Sequence, residues 1–346
     1  MLAACTLRDE RAPADSTKTS SSSSGAGGAW VYVSNEDSRN LSVIDGATNA
    51  VVATIDVGTR PRGVKVSPDG RTVYVALSGS PKCPPTMPDA ECAKKIADRD
   101  LDGIAVVDVA SRRTVKVLPA GLDPEAFDVS ADGRTLFVSN EDADSLTIVD
   151  IASGRPKSNV PAGREPEGVT VAPDGKTVWV TSEADHDVTV VDVVTGKVLA
   201  QVATGGKRPR AVGFVPDGSK AYVTNETTGT IAVIDPATHT LRGTIVLPPG
   251  SRPMGIVVSR DGNRAYVSNG RGGTVSVIDV ARDSVLSTTN VGVRPWGIAL
   301  SPDGGWLYTA NGSGNDVSVV KTSTMEVVHR VPVGKSPWGA AIGTKP

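Results

Sequence analysis

The stretch from Val291 to Val320, VGVRPWGIALSPDGGWLYTANGSGNDVSVV, decides the fold. An Arg-Pro-Trp-Gly turn opens it and leads into a short apolar run. A Ser-Pro-Asp-Gly turn follows, then an aromatic-rich run ending in Asn311, a polar loop, and the run Val317-Ser318-Val319-Val320. Each run has strand length and a period of two. An Asp-Gly turn between two such runs is a hairpin signal. The spacing predicts three strands of one antiparallel sheet, with a fourth over Thr324–Val333.

The unit recurs through the chain. Its turn proline returns at Pro61, Pro124, Pro166, Pro209, Pro253, Pro295 and Pro337, at intervals of 63, 42, 43, 44, 42 and 42 residues. The first interval is one repeat plus an extra segment of roughly 21 residues, and four strands in every 40–45 residues read as propeller blades. The Asp-Gly turn appears six times, at Asp69, Asp132, Asp174, Asp217, Asp261 and Asp303. Seven prolines against six such turns tell how the ring closes. The chain enters at Trp30-Val31-Tyr32-Val33, a second strand, and ends at Pro337–Ile342, a first strand. The expected fold is therefore all-β: a seven-bladed β-propeller over 29–346, its last strand completing its first blade and removing open edges.

Within the 346 residues, 39% are hydrophobic and 21% charged, with a net charge of −2. No global basic field recommends nucleic acid as a partner. No run reaches the roughly 18 apolar residues of a membrane span. Leu2-Ala3-Ala4-Cys5 has the form of a bacterial lipobox, which makes Cys5 a candidate lipidation site in an N-terminal segment, 1–28, whose part Asp15–Gly28, rich in Ser, Thr, Gly and Ala, suits a flexible tether. Attachment to the membrane would then run through a lipid anchor only. The alternative is an incidental Ala-Ala-Cys in a tail. Cys83 and Cys92 lie in the extra segment, 79–102, between the second and third strands of a blade. In an exported protein, two cysteines nine apart in a proline-rich loop suit a disulfide.

Signatures of nucleophilic, metalloprotease, phosphate-loop and haem chemistry are absent. Of the three histidines, only His186 falls near a plausible site. The informative signal is what varies between repeats. In a propeller the first strand of each blade lines the channel, so the residue after each turn proline recurs around its mouth. In ring order these are Arg62, Glu125, Glu167, Arg210, Met254, Trp296 and Trp338. Sixteen residues on, at the end of the second strand, stand Ser78, Glu141, Glu183, Glu226, Gly270 and Gly312, with Glu36 opposite Trp338. Glu125 is expected to face Glu141, Glu167 to face Glu183, and Arg210 to pair with Glu226. One half of the mouth is charged and the other apolar and aromatic, as a ligand pocket requires.

The carboxylate pairs leave three readings open. Flanking arginines neutralise them; or Glu125, Glu141, Glu167 and Glu183 hold a divalent cation, with oxygen ligands suited to calcium; or one carboxyl stays protonated beside its neighbour and serves as acid or base. Trp296 and Trp338 are expected to form the apolar wall, with Arg62 placed for a cation–π contact with Trp338. The aspartates ending most third strands (Asp45, Asp108, Asp150, Asp192, Asp235, Asp279) suit turns on the opposite face.

Tyr-Val-Ser-Asn, Tyr-Val-Thr-Asn, Ser-Pro-Asp-Gly and Val-Ser-Val-Ile-Asp resemble the YVTN-type propeller repeats of bacterial exported and surface-layer proteins, over nearly all of Trp30–Gly343. More narrowly, Arg60-Pro61-Arg62-Gly63, Asp123-Pro124-Glu125, Glu165-Pro166-Glu167-Gly168, Arg208-Pro209-Arg210, Asn311–Val320 and Ser336-Pro337-Trp338-Gly339 resemble propellers associated with pyrroloquinoline-quinone-dependent alcohol catabolism. That resemblance implies an exported accessory role, periplasmic or at the cell surface, beside quinoprotein dehydrogenases. The propeller of haem-containing nitrite reductases is similar in repeat, but its haem needs a placed His. Three functions follow as expectations. The first is a non-catalytic binding or scaffold propeller that takes a small ligand or an envelope protein at its mouth. The second is a metal-assisted lactonase or lyase. The third is a surface-layer or adhesin component.

Overall fold

The structure is a computed structural model and describes residues 26–82, 91 and 95–345. Cys5, Cys83 and Cys92 lie outside the described residues, as does most of the tether. Among the described residues, seven four-stranded antiparallel sheets follow one another around a ring, each with its four strands in chain order except the first. In that first sheet, Pro337–Thr344 pairs antiparallel with Ala29–Asn35, Tyr32 opposite Ala341. The two ends of the propeller are thus zipped into one blade, as the repeat count requires. Blades are numbered here from this sheet onward.

The Ser-Pro-Asp-Gly turns form for a local reason. Ser67 Oγ donates to Asp69 Oδ1 at 2.6 Å, and the same carboxylate accepts from the Arg71 N–H at 3.1 Å. Gly70 takes a φ of 72°, the left-handed region a side chain resists. The arrangement repeats at Ser130 and Asp132, Ser259 and Asp261, and Ser301 and Asp303. On the opposite face, the third-strand aspartates accept backbone N–H groups of the following turn, as at Asp45 from Ala47 and at Asp108 from Ser111, both at 2.8 Å. The last blade carries Lys321 there instead, and a backbone bond from Met325 N–H to the Lys321 carbonyl at 2.7 Å closes the turn.

The alternation in Val317-Ser318-Val319-Val320 is not one of core against solvent: all four residues are buried. A blade is covered on both faces by its neighbours, so its middle strands bury both sides. The polar member of the alternation is absorbed internally, Ser318 Oγ accepting from Asn311 Nδ2 at 2.9 Å. Between blades lie apolar clusters such as Tyr222, Ile231, Val233, Ile245, Val267 and Ile278. Trp179, fully buried, meets Phe214 edge-on at 5.2 Å. The extra segment sits between Thr72–Leu77 and Gly103–Asp108, strands that pair directly, with Leu77 opposite Gly103.

The innermost strands approach closely, which explains one glycine position. A Cβ at Gly168 would lie 2.1 Å from the Arg210 carbonyl oxygen of the next blade. No side chain fits there, and removing the obstruction would push two channel-lining strands apart.

Candidate functional site at the channel mouth

Two backbone devices build the mouth. The first is a left-handed residue before every turn proline. Arg60, Asp123, Glu165, Arg208, Arg252, Arg294 and Ser336 all have φ between 44° and 60°. An L-residue with a side chain pays roughly 1–2 kcal/mol for this conformation. In six blades its carbonyl then accepts the N–H of the residue just past the second strand: Glu36, Glu141, Glu183, Glu226, Gly270 and Gly312, at 2.8–3.1 Å. The strained residue therefore clamps together the two loops that the sequence reading placed opposite each other.

The second device crosses between blades. The hydroxyls of Ser34, Ser139, Thr181, Thr224 and Ser268 each accept an N–H from their own blade's inner strand at 2.8–3.1 Å. Each also donates, at 2.5–3.2 Å, to the carbonyl of the mouth residue one blade on: Arg62, Glu167, Arg210, Met254 and Trp296 respectively. Ser34, Thr224 and Ser268 are the Ser and Thr of the Tyr-Val-Ser-Asn and Tyr-Val-Thr-Asn motifs, and Ser139 and Thr181 hold the same place in Phe-Val-Ser-Asn and Trp-Val-Thr-Ser. Blade 2 has Ala76 at this position, and there Gly63 N–H bonds the Glu125 carbonyl directly at 3.1 Å.

On this frame the charged half divides into two clusters, each around one arginine. Arg62 is buried and pairs with Glu125. It also lies 3.6 Å from Glu36, 3.6 Å from Glu141 and 3.7 Å from Asp123. Glu36 receives Arg60 at 3.0 Å and Lys82 at 2.9 Å as well, and although burial works against it, these cations hold its carboxyl below the usual range. Arg210 pairs with Glu167, with Glu183 at 2.7 Å and with Glu226 at 2.9 Å, and Arg208 pairs with Glu183 from outside.

Burial and then the neighbouring Glu167 carboxylate push Glu183 up to about 8 and Glu141 up to about 7. Burial would raise Glu167 too, but Arg210 and a hydrogen bond from the Glu183 carboxyl hold it below the ordinary value. Near neutral pH, Glu183 is thus the protonated partner and Glu167 the ionised one. Glu183 is buried behind the wall, whereas Glu141, its side chain 32% exposed, faces the cavity.

The two arginines bear on the calcium reading. Asp123, Glu125 and Glu141 each bring a carboxylate oxygen within 4.8 Å of the others. The Arg62 guanidinium occupies that convergence, so the cluster already contains its cation. Glu167 and Glu183, the other half of the expected four-carboxylate set, bond Arg210 and each other. Calcium takes six to eight oxygens, and the residues as arranged do not fit it.

The opposite half holds Met254, Trp296 and Trp338. The two indoles meet edge to face, 6.0 Å apart at 79°. Gly312 lies against Trp296 and Gly270 against Met254, where a Cβ would stand 3.8 Å and 3.0 Å from the neighbouring side chain. The cation–π contact forms between Arg294 and Trp296, at 4.9 Å, rather than between Arg62 and Trp338, because the acids around Arg62 engage its guanidinium. The enclosed space is a cavity of about 600 Å³ bounded by both halves.

All eleven expected mouth residues therefore gather at one end of the channel. Glu183 stands behind the wall, and the other ten line the cavity. The sequence reading passed over Asp123, Lys82, Arg271 and Arg294. Arg294 shares the repeat position of Arg60 and Arg208, which would have revealed it. Lys82 comes from the extra segment and has no repeat register. His186 lies beside the mouth with Nδ1 2.8 Å from the Glu183 carbonyl oxygen, where it supports the loop.

Fold and mouth define a class: a seven-bladed propeller with four-stranded blades and an asymmetric, part-charged and part-aromatic channel mouth. Two family models each match a part of its repeat array. The family model described as YNCE-like beta-propeller matches residues 99–218, and that described as Lactonase, 7-bladed beta-propeller matches 198–328. No curated protein matches the chain in sequence. Among solved structures, the chain is similar to the periplasmic gluconolactonase of Pseudomonas aeruginosa, with 21% identity and a TM-score of 0.73 over 92% of this chain and 100% of that one. It is also similar to a functionally unknown protein from Desulfotomaculum acetoxidans, with 17% identity and a TM-score of 0.75 over 92% and 99%. A putative 6-phosphogluconolactonase from Bacteroides uniformis, with 17% identity, gives a TM-score of 0.72 over 91% and 99%. At these identities the likeness is one of fold.

Proposed function

We propose that this chain is a binding propeller that takes a small organic ligand at the channel mouth and serves as an accessory to quinoprotein-type redox metabolism in the cell envelope. The observation that carries the binding reading is the division of one cavity of about 600 Å³ into an ion-paired wall and an aromatic wall. The volume suits a small organic molecule. The two backbone devices keep the walls in place without a ligand, so little ordering is left to oppose binding. The envelope placement rests on Leu2–Cys5 and on the resemblance of the turn motifs.

A thermal-shift screen of small metabolites of mixed charge tests the binding reading, run on the wild type and on a Trp296→Ala/Trp338→Ala variant. A ligand that binds the native state raises its melting temperature by mass action. The expected result is a rise of a few degrees that the double variant loses. No rise with any compound, or a rise that survives loss of both indoles, would overturn it. Labelling with a radioactive fatty acid in cells tests the anchor, with Cys5→Ala expected to abolish incorporation.

A second reading, hydrolysis of a lactone, has one specific observation in its favour: Glu141, raised to about 7, faces the cavity. Lactone opening adds water across the acyl–oxygen bond. It needs a group that takes a proton from water and returns one to the departing ring oxygen, and a carboxyl titrating near neutrality does both. A pH-stat assay with gluconolactone, corrected for spontaneous opening, tests it. Turnover that falls at least a hundredfold in Glu141→Gln would support it, and a rate equal to the uncatalysed one would end it.

A further inference from the structure

Every cation of the charged wall is engaged by an acid, whereas those beside the aromatic wall are not. Arg60, Arg62, Lys82 and Arg210 bond carboxylates, and Arg208 lies against Glu183 and 3.9 Å from the Glu226 carboxylate. Across the cavity, Arg271 and Arg294 also line it, and among the described residues neither has an ion-paired carboxylate. Arg294 lies over the Trp296 ring, and Arg271 is exposed next to Gly270. A guanidinium does not lose its proton in a protein. Two permanent positive charges therefore face the space above Trp296, Trp338 and Met254, with no internal counter-charge.

Glycines at 270 and 312 sharpen the contrast. The same repeat position holds glutamate in blades 1, 3, 4 and 5, and there it supplies an acid that meets an arginine. In blades 6 and 7 that carboxylate is missing, while Arg294 keeps the pre-proline place of Arg60 and Arg208 and Arg271 stands just after Gly270. A vacancy of one charge sign beside an apolar wall specifies a ligand.

We propose that the mouth binds an organic oxyanion, a carboxylate or phosphate monoester on a flat apolar body, with the anionic group on Arg271 and Arg294 and the body against Trp338 and Met254. This rests on the reading of the mouth as a small-molecule site. Guanidinium groups match both oxyanions with paired N–H donors. The acids of the wall opposite are engaged by its own arginines and Lys82, and the indole faces favour a ring over a hydrated inorganic ion.

The experiment is calorimetric titration of the full chain at low ionic strength with four probes: benzoate, phenyl phosphate, benzamide and inorganic phosphate. Benzoate or phenyl phosphate is expected to bind at least tenfold more tightly than both benzamide and inorganic phosphate, and to weaken as salt is raised. Which of the two is tighter identifies the oxyanion. In an Arg271→Gln/Arg294→Gln variant that advantage over benzamide should disappear, while Arg113→Gln, on an exposed outer strand, should leave it unchanged. Equal affinity for benzoate, phenyl phosphate and benzamide, or an advantage that survives the double variant, would overturn the oxyanion inference and leave the pocket reading standing. Binding of neither aromatic anion would also overturn it, and the broader screen with Trp296→Ala/Trp338→Ala then decides the pocket reading separately.

Discussion

Replacing Glu183 with glutamine should flatten the alkaline side of this protein's stability profile. Glu183 is 6% exposed. Burial first and the Glu167 carboxylate second raise it from 4.5 to about 8, with Arg210 and Arg208 pulling the other way. An acid whose folded value is raised binds its proton more tightly in the native state. The stability this contributes is complete below about pH 4.5 and is lost as the pH rises through about 8. One pH unit of separation is worth about 1.4 kcal/mol, so a gap of roughly 3.5 units corresponds to about 5 kcal/mol for a group titrating alone. The proton is shared with Glu167, so the expected loss is about 3–5 kcal/mol. Glutamine has the same shape, carries no charge and offers Glu167 an amide N–H at every pH, so the variant lacks this dependence. Glu141 titrates in both proteins and gives both a smaller residual slope, screened by its partial exposure. The assay is urea unfolding at pH 5, 7 and 9. Wild type should lose about 3–5 kcal/mol more than Glu183→Gln across that range. Parallel profiles would show that Glu183 is ionised in the native state and refute the assignment of the proton.

Two further outcomes follow. Arg210→Met leaves Glu167, Glu183 and Glu226 facing one another without their common partner; removing one side of a buried pair costs about 3–5 kcal/mol. Urea unfolding at pH 7 should show it, with part of the loss recovered at pH 5, and a loss below about 1 kcal/mol would mean that the three acids do not depend on Arg210. Ser268→Ala removes the hydroxyl that joins Gly255 N–H to the Trp296 carbonyl. It should cost about 1–2 kcal/mol and shift the tryptophan emission, whereas unchanged emission would show that Ser268 does not position Trp296.

The ring and its closure were legible because proline, Asp-Gly and strand-length apolar runs recur at a fixed spacing, and a repeat gives every position an index. That index also located the mouth: Arg62, Glu125, Glu167, Arg210, Met254, Trp296 and Trp338 share one place in seven blades. The pairing was less legible. Sequence reasoning paired residues within a blade, which holds for Arg210 with Glu226, for Glu167 with Glu183 and for Glu125 with Glu141. It expected flanking arginines against the acid pairs and Arg62 against Trp338 of blade 1, but not that Arg62 of blade 2 joins Glu36 of blade 1 to Glu125 and Glu141 of blade 3. The left-handed residue before each proline was hidden for a different reason. Pre-proline residues ordinarily take extended backbone, and Arg60 or Glu165 carries no sign in its side chain that it does otherwise. Lys82 enters from a segment outside the repeat, where the index has no value.

The belt of Ser and Thr hydroxyls has a consequence for how such a molecule changes over generations. Each hydroxyl grips the main-chain carbonyl of the mouth residue and leaves its side chain alone. The chemistry displayed after each proline can then be exchanged without disturbing the grip, and the ring already displays arginine, glutamate, methionine and tryptophan on the same backbone. Heredity can rewrite the display one blade at a time, as separate letters rather than as a whole word. A descendant that needs a different guest requires no new loop or strand, only substitutions at positions whose backbone is held for it by the blade next door.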